Sequence, residues 1–490
     1  MSWRGFDTAR AAARRRPFDQ LERRLVRHAL AEGTDEPEVA RRVAQLRYAV
    51  SFARLTTVQN PDGQEVDLAG IQGVHAQRVL DRLSPHLLSG SDLRSALRTS
   101  EEIVAWTVQA RRSLLASVPV DRDALEAEVC TRQLVIASGG GGGAGYVYPG
   151  VFEQLDRLGL TPSLMVGTSI GALLSMFRAR RTQFDLAALL AAARVLSWTN
   201  VFRVLETGSR YGIPATLRLY LRSALGSLFQ TDDSDAVGGR RDAWLSDLEI
   251  PLYTVVTGVT VEALKHDLHY YERLLADDVR TTRTMQARAG LRAMQILREF
   301  LSAPEALREI VVGREPGTED FDVLDAAGFS AAIPAVIHYD VLREDARMQR
   351  ILDQLYARHG ITRLGEGGMV SNVPARIAWE TAVSGHLGAR RNVFVVALDC
   401  FAPSAGRLAW YPFQQMVRQA NVTRDRAFAD LYVSFPQTLS PLNLVPSVAD
   451  AMTAIRWGRA AVEDHLPFVR EMMRPLQVVR DREGWADDTG

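Results

Sequence analysis

The stretch Leu164-Met165-Val166-Gly167-Thr168-Ser169-Ile170-Gly171 decides the fold of this chain. An apolar run followed by Gly-x-Ser-x-Gly predicts a buried strand that turns sharply into a helix and exposes the serine hydroxyl at the turn. Gly167 and Gly171 flank Ser169 because a Cβ at either position would crowd so tight a backbone. The pattern therefore predicts a serine nucleophile at Ser169, with Gly167 and Gly171 forming its elbow.

A second strand-to-helix turn lies upstream and consists almost entirely of glycine. Gln133 to Ala137 has the pattern of a buried strand, Gly139 to Gly145 follows it, and Tyr146 to Leu158 has helical spacing. Consecutive glycines in such a turn can direct several backbone N–H groups at one point, where the following helix adds its dipole. The candidate oxyanion-hole residues are therefore Gly140, Gly141, Gly142, Gly143 and Gly145.

Two strand–turn–helix units in succession predict an α/β protein with a mostly parallel central sheet in a three-layer arrangement. Leu252 to Val256 and Asn392 to Asp399 have the character of further strands, the latter being continuously apolar as if covered on both faces. One crossover unit separates the glycine turn from Ser169. Both turns are therefore expected at the same carboxyl edge of the sheet, where open α/β sheets bind ligands.

The rest of the chain divides into predicted regions around this sheet. Residues 1–130 have apolar positions at helical spacing and are expected to form an all-helical region, with turns near 60–63 and 89–91 and an unknown protein partner. Residues 131–445 are the predicted catalytic domain, with a helical insertion over about 261–321. Residues 446–490 are expected to form a helical tail.

Composition excludes several classes of function. Among the 490 residues, 58 basic side chains balance 58 acidic ones, so no overall field would recruit nucleic acid, although the first thirty residues are rich in arginine. Cys130 and Cys400 exclude a disulfide scaffold and a zinc site of the usual cysteine type. No apolar run reaches the ~20 residues of a membrane-spanning helix, so a cytoplasmic protein is expected, with binding to a membrane surface left open.

Residues 184–206 are unusually apolar and carry few charges. The pattern favours a pair of helices that covers the sheet. The alternative is an apolar lid or interfacial helix beside the nucleophile, with Trp198 near the level of lipid headgroups.

The glycine turn also satisfies the dinucleotide-binding pattern Gly-x-Gly-x-x-Gly through Gly140, Gly142 and Gly145. That fingerprint requires an acidic residue about 20 positions further on, at the end of the second strand, where it binds the ribose. The second strand ends instead in Val166 to Ser169 and offers no carboxylate. The sequence therefore disfavours a nucleotide site.

A serine hydroxyl needs a base that removes its proton. In an ordinary α/β-hydrolase this base is a late histidine, and His386 and His465 are the downstream candidates. Glu366 is better placed, because Gly365 to Gly368 sets its carboxylate in a glycine turn, followed by Asn372-Val373-Pro374.

Together these stretches resemble the patatin-like phospholipase family. The family combines a Gly-Gly-Gly-x-Arg/Lys-Gly loop, a Gly-x-Ser-x-Gly elbow and an Asp-Gly-Gly/Ala turn followed by Asn-x-Pro. Gly140 to Gly145, Gly167 to Gly171 and Gly365 to Pro374 match these motifs in order, within about Gln133 to Asp399.

The resemblance implies a serine–carboxylate dyad without histidine that hydrolyses acyl esters of lipids. Ser169 would attack the ester carbonyl, and the amides of Gly141 to Gly143 would hold the oxyanion. Glu366, in a turn formed with Gly367 and Gly368, would accept the serine proton. The implied substrate is a lipid or phospholipid, met during transient contact with a membrane surface, and no metal or organic cofactor is required.

Two positions depart from the family pattern, since Glu366 replaces an aspartate and Ala144 replaces a basic residue. Besides the lipid acyl hydrolase, three functions therefore stay open. One is a lipid-binding or partner-binding protein that has lost turnover through Glu366. Another is an acyltransferase that passes the acyl group from Ser169 to an acceptor other than water. The third is an ordinary α/β-hydrolase with a histidine base.

Overall fold

The structure is a computed structural model that describes residues 6–33, 36–89, 92–204, 209–234, 238–260, 302–402 and 422–479, together with Tyr270 and Glu299. The chain forms two compact units. The helical unit contains Met1–Leu134, Glu380–Phe394 and Asp464–Gly490, and the sheet unit contains Val135–Trp379 and Val395–Glu463.

The described strands are β1 (Thr57–Gln59), β2 (Glu65–Asp67), β3 (Gln133–Ser138), β4 (Leu164–Thr168), β5 (Phe202–Val204), β6 (Ala215–Leu219), β7 (Gln230–Asp232), β8 (Arg240–Asp242), β9 (Leu252–Val259), β10 (Leu307–Val312), β11 (Ala335–His338), β12 (Arg363–Gly365), β13 (Val393–Asp399) and β14 (Leu431–Ser434).

The described α-helices are α1 (Thr8–Ala31), α2 (Pro37–Ala53), α3 (Ala69–Leu87), α4 (Leu93–Arg98), α5 (Ser100–Ser117), α6 (Arg122–Cys130), α7 (Tyr148–Arg157), α8 (Ile170–Ala179), α9 (Leu186–Val195), α10 (Trp198–Val201), α11 (Leu221–Leu225), α12 (Val323–Ser330), α13 (Ala346–His359), α14 (Ala375–Val383), α15 (Thr423–Arg426), α16 (Val448–Glu463) and α17 (Leu466–Met473). Within the described ranges, no helix combines the length and the apolar character needed to span a bilayer.

The central feature is a seven-stranded sheet with the order β10-β9-β4-β3-β13-β14, in which β12 also pairs with β9. Strand β4 runs parallel to both β3 and β9, and β13 runs parallel to β14, whereas β10 and β12 are antiparallel to β9. Every residue of β3, β4 and β13 is buried, as expected for strands covered on both faces. The predicted α/β fold with a mostly parallel sheet is confirmed.

Helix α16 belongs to the sheet unit because it packs closely on α7. Gly150 and Gly458 make this approach possible, since a Cβ at Gly150 would overlap the Ile455 carbonyl oxygen and one at Gly458 would overlap a carbonyl oxygen beside α7. Arg459 of α16 also pairs with Glu153 of α7. The compact unit therefore extends to Glu463, past residue 445, where the sequence analysis placed the end of the catalytic domain.

The helical unit differs from its all-helical prediction at one place. Strands β1 and β2 form an antiparallel hairpin around the predicted break at 60–63. Asn60 Oδ1 accepts hydrogen bonds from the amides of Asp62 and Gln64, and Gly63 adopts a φ of 77°. The turn is therefore located where the sequence predicted it. It joins two strands, because residues 57–59 and 65–67 on either side of it pair with each other.

The predicted helical insertion over about 261–321 lies largely outside the described residues. In its described C-terminal part the prediction is wrong, because Leu307–Val312 forms β10 and pairs with β9. The buried residues of β10 are Ile310, Val311 and Val312, whose β-branched side chains favour a strand against the sheet.

Candidate active site

Ser169 lies on the turn between β4 and α8, where its backbone adopts φ 55° and ψ −126°. A positive φ is strained for serine, so the surroundings must hold it. The flanking glycines make the turn possible. A Cβ at Gly167 would lie 2.5 Å from Ala172 Cα, and a Cβ at Gly171 would overlap the Ser138 carbonyl oxygen. The turn has the strained strand-to-helix geometry of a nucleophile elbow.

The side chain of Ser330, the last residue of α12, holds this turn. The Ser169 amide donates a hydrogen bond to Ser330 Oγ at 2.8 Å, and that hydroxyl donates to the Val255 carbonyl oxygen of β9 at 2.6 Å. Ser330 is fully buried. It therefore ties the strained elbow to the central sheet, a role that no sequence motif indicated.

The glycine loop presents two unoccupied amides beside Ser169. The amides of Gly140 and Gly143 already donate to carbonyl oxygens of neighbouring loops, at 3.0 and 2.9 Å. In the described part of the chain, nothing accepts a hydrogen bond from the amide of Gly141 or Gly142. Gly142 also lines a pocket with Ser169. These two amides are therefore the ones left to bind an oxyanion.

The other glycines of the loop serve packing. Gly145 lies inside the 3-10 helix Gly142–Val147, and a Cβ there would lie 2.6 Å from the Ile170 side chain. A Cβ at Gly143 would overlap the Asn443 carbonyl oxygen. The amides of Gly140 and Gly143 are already engaged, and the assignment of the five glycines to an oxyanion hole stays a prediction.

Glu366 is anchored through its backbone at the end of β12. Its amide donates to the Ala332 carbonyl oxygen at 3.0 Å, and its own carbonyl oxygen accepts from Thr257 Oγ1 at 2.6 Å. The side chain folds back, so that Oε1 accepts from the Gly368 amide at 3.2 Å. At Gly367 a Cβ would overlap a carbonyl oxygen of β9, so only glycine fits there.

Ser169 and Glu366 both lie against the backbone of Gly140. A Cβ added at Gly140 would lie 3.1 Å from Ser169 Cβ and 3.7 Å from Glu366 Oε1. The structure thus brings together the two side chains that the sequence analysis paired, although nearly two hundred residues separate them in the chain.

The Glu366 carboxyl is poorly solvated. Its Oε2 atom is buried and has no hydrogen-bond partner among the described residues. Burial raises the pKa of Glu366 to about 8, and the Gly368 amide and the Ser169 hydroxyl, which favour the charged form, offset only part of this rise. A carboxyl that titrates near neutral pH can both take up and release a proton there.

Asn372 joins the glycine loop to the turn that carries Glu366. Its backbone carbonyl oxygen accepts the Gly140 amide, and a Cβ added at Gly140 would lie 2.7 Å from Asn372 Oδ1. At Gly368 the corresponding distance to the same oxygen would be 3.1 Å. The sequence analysis quoted Asn372 within Asn-x-Pro and assigned it no role. Its contacts show that it holds the two turns together.

An apolar pocket opens at Ser169. It contains about 850 Å³ of space between protein atoms, part of it open to solvent. Its walls are almost wholly aliphatic and aromatic, and include Leu173, Leu174, Phe177, Leu189, Phe202 and Ile333.

The apolar stretch 184–206 forms one wall of this pocket. Helix α9 contributes Leu189, Ala192 and Ala193 to the lining, and α10 contributes Val201. The described part of the stretch forms the two helices α9 and α10 and then strand β5, so the predicted helix pair is only part of it. Both helices contribute to the pocket at Ser169, where the lid interpretation placed them. Trp198 is 51% exposed, and its ring lies 4.5 Å from that of the pocket residue Phe202.

Neither His386 nor His465 is among the described residues that line the pocket. The described residues also contain no group of three or more His, Cys, Asp or Glu side chains arranged to hold a metal ion.

The sheet is mostly parallel, a strained serine follows one of its strands, and the adjacent turn has unoccupied amides. These features are those of an α/β protein with a serine nucleophile elbow. Residues 136–379, about half of the chain, match the family model described as patatin-like phospholipase. Through this domain the protein belongs to the patatin-like phospholipase family, which is a family of lipid acyl hydrolases. A search of curated proteins found no match to the chain.

Replacement of the buried carboxyl should change how stability depends on pH. The folded-state pKa of Glu366, about 8, exceeds the 4.5 of an ordinary glutamate, so the free energy of unfolding should fall as the pH rises from about 5 to above 8. In Glu366→Gln this loss, on the order of a few kcal/mol, should disappear. Thermal unfolding of both proteins at pH 5 and pH 9 measures it. Glu344→Gln, at an exposed glutamate, should behave as wild type, and a parallel pH dependence in Glu366→Gln would contradict the burial argument.

Removal of the Ser330 hydroxyl should disturb the elbow. Ser330→Ala leaves the buried Ser169 amide without an acceptor and should cost about 1–3 kcal/mol of stability. It should also slow labelling of Ser169 by a fluorophosphonate probe. Ser175→Ala is the matched control, because it removes a buried serine hydroxyl that bonds Ser138 Oγ at 3.1 Å and leaves the elbow amide paired. Equal labelling rates in the two variants would show that Ser330 only stabilises the fold.

Proposed function

We propose that this protein is a serine lipid acyl hydrolase of the phospholipase A or lysophospholipase type, with Ser169 as nucleophile and Glu366 as the dyad base. The observation that carries the proposal is the meeting of Ser169 and Glu366 at Gly140, at one end of an apolar pocket. A reactive hydroxyl, an adjacent base and an apolar cavity are the three elements that cleavage of a fatty-acyl ester requires.

In the first half of the reaction, Ser169 Oγ forms a bond to the ester carbonyl carbon while its proton passes to the Glu366 carboxylate. The bond from this carbon to the alcohol oxygen then breaks, and Glu366 returns the proton to the departing alcohol. In the second half, water attacks the acyl-Ser169 ester, again losing a proton to Glu366, and the fatty acid leaves as Ser169 recovers its proton. Glu366 thus alternates between base and acid.

The amides of Gly141 and Gly142 are proposed to stabilise the oxyanion of both tetrahedral intermediates. They have no other acceptor among the residues that the structure describes, and the loop that carries them is held by the occupied amides of Gly140 and Gly143. Amides fixed in this way need no reorganisation as the negative charge develops. They also supply their stabilisation without the basic residue that Ala144 replaces.

The raised pKa of Glu366 makes it a stronger base than an ordinary glutamate, and it reduces the ionised fraction at neutral pH. Because only the carboxylate can accept the serine proton, kcat/KM should increase with pH through the pKa of about 8. A glutamate at position 366 is thus compatible with an active dyad. The burial that raises its pKa also lowers the fraction of enzyme molecules in which Glu366 is ionised at neutral pH.

The apolar pocket supports a fatty-acyl chain as the part of the substrate that enters the protein, because its lining would leave a charged group unsolvated. A lipid must leave its bilayer to reach Ser169, so transient contact with a membrane surface is part of the proposal. Trp198, Val195 and Leu442 are apolar, more than half exposed, and close in sequence to residues that line the pocket. They are proposed to contact the lipid, which would make the protein a peripheral enzyme of the cytoplasm.

Substitution of the dyad tests the proposed chemistry. Ser169→Ala should abolish both fluorophosphonate labelling and release of fatty acid from phospholipid. Glu366→Gln should lower kcat/KM by roughly a hundredfold to ten-thousandfold, because it keeps the shape and removes the base. Glu366→Asp keeps a carboxylate and should retain more activity than the amide variant. The assay is fatty-acid release, with circular dichroism to verify folding.

Other results of the same assay would favour the alternative functions. A folded wild-type protein that releases no acid from any lipid or p-nitrophenyl ester would support a binding protein. Full activity in Glu366→Gln together with an inactive His386→Ala or His465→Ala would show that the dyad assignment is wrong. New esters formed when a competing alcohol is supplied would indicate an acyltransferase.

The contact with lipid is tested by comparing two substrates. Trp198→Ser combined with Val195→Ser should lower hydrolysis of long-chain phospholipid vesicles by roughly tenfold or more, since a large apolar side chain is worth about 1.5–3 kcal/mol when buried. Hydrolysis of a soluble short-chain ester should be unchanged. Leu342→Ser replaces a side chain of similar exposure outside the pocket and should affect neither substrate. A parallel loss on both substrates would place these residues in the pocket rather than at the membrane.

A further inference from the structure

Helix α1 of the helical unit buries both of its acidic residues, together with Arg15 and Arg16, and keeps its other arginines exposed or half-exposed. Its acidic residues Asp19 and Glu22 are buried, and Arg54 Nη1 pairs with both, at 2.8 and 3.2 Å. Burial alone would raise the pKa of Asp19, but Arg54 and Arg16 lower it to about 2, so this carboxylate stays ionised. Both acidic side chains of the helix therefore form ion pairs inside the helical unit.

The outer side of α1 is left with arginine. Arg10, Arg14, Arg24 and Arg27 are exposed, and the residues of α1 that point to solvent include no carboxylate. The chain as a whole has equal numbers of basic and acidic side chains. The excess of positive charge on this helix is thus a local feature, produced by the inward orientation of its acids.

Arg24 and Arg27, together with the half-buried Arg23, form one wall of an open pocket. It is lined by Gln20, Arg23, Arg24 and Arg27, which lie on one side of the helix at spacings of three and four, and by Leu88. We call this the arginine face. Partial burial, followed by the neighbouring charges of Arg23 and Arg24, lowers the pKa of Arg27. The positive charges of Arg23 and Arg24 therefore act unfavourably on the Arg27 guanidinium, and an anion close to Arg27 would offset them.

We infer that the arginine face is a docking surface for anionic phospholipid in a bilayer. A guanidinium offers a planar pair of donors that matches the oxygens of a phosphate group. Leu88, which lines the pocket, and Leu30, one turn beyond Arg27, are 37% and 43% exposed and would enter the headgroup layer. Exposed leucines beside the arginines favour a lipid surface over a soluble phosphate compound, which would leave them in water.

This surface adds a property that the dyad and its pocket do not supply. The described residues that line the acyl pocket are uncharged, so they offer no charge with which to distinguish lipid headgroups. The arginine face would give the protein a preference for negatively charged bilayers, because each basic residue near such a surface adds a similar favourable amount to the free energy of binding. The inference does not depend on catalysis by Ser169.

Vesicle binding of the full chain tests the inference. Ser169→Ala serves as the background, so that no lipid is consumed, and vesicles of phosphatidylcholine are compared with vesicles of phosphatidylcholine and phosphatidylserine by co-sedimentation. Binding should be stronger to the anionic vesicles and should weaken as salt is added. Arg24→Ala combined with Arg27→Ala should weaken binding to them by roughly thirtyfold and leave binding to neutral vesicles unchanged.

Arg350→Ala combined with Arg456→Ala is the matched control, because it removes two exposed arginines from the sheet unit. It should bind anionic vesicles as the background protein does. Equal binding to neutral and anionic vesicles, or unchanged binding after loss of Arg24 and Arg27, would overturn the inference. Calorimetric binding of inorganic phosphate at the arginine face without vesicle binding would also overturn it, in favour of a soluble ligand.

Discussion

The strained backbone of Ser169 is the constraint on which the rest of the site depends. A serine keeps a φ of 55° only where the fold forbids it to relax. Here the amide is held by Ser330, which is in turn bonded to β9, and the two glycines of the elbow leave no space into which the turn could open. Ser169 is therefore held in one conformation at the edge of the sheet. The side chains and amides that surround it can be held in fixed positions as well.

Close packing at this edge also sets the chemistry of Glu366. The glycine loop, the elbow and the turn of Glu366 meet at Gly140, and Asn372 is in contact with the loop and that turn together. The same closeness that brings the carboxyl to Ser169 removes it from water and raises its pKa to about 8. Proximity and basicity thus have one cause. A looser site would hold a weaker base farther from the hydroxyl.

The two units differ in where they place charged and apolar side chains. In the sheet unit, the described residues that line the pocket at Ser169 are uncharged, which suits the proposed binding of an acyl chain. The helical unit takes the acids of α1 into buried ion pairs and leaves arginine outside. Burial of a carboxylate is tolerated in the helical unit because guanidinium groups surround it, whereas Glu366 has no such partner and its pKa rises instead.

The sequence by itself determined the strands β3, β4, β9 and β13, the elbow at Ser169 and the glycine turns. These features follow from local patterns: apolar runs, and glycines wherever a Cβ would clash within the same turn. The pairing of Ser169 with Glu366 followed instead from the resemblance of three ordered motifs to the family. Only the tertiary structure decided that β10 is a strand, that Ser330 holds the elbow, and that Gly141 and Gly142 rather than their neighbours keep unoccupied amides. Each of these depends on acceptors or partners that are distant in the chain. The groups packed around an amide decide whether it is free to bind a ligand, and the groups packed around a carboxyl decide whether it is solvated. A local sequence pattern does not indicate which groups those are.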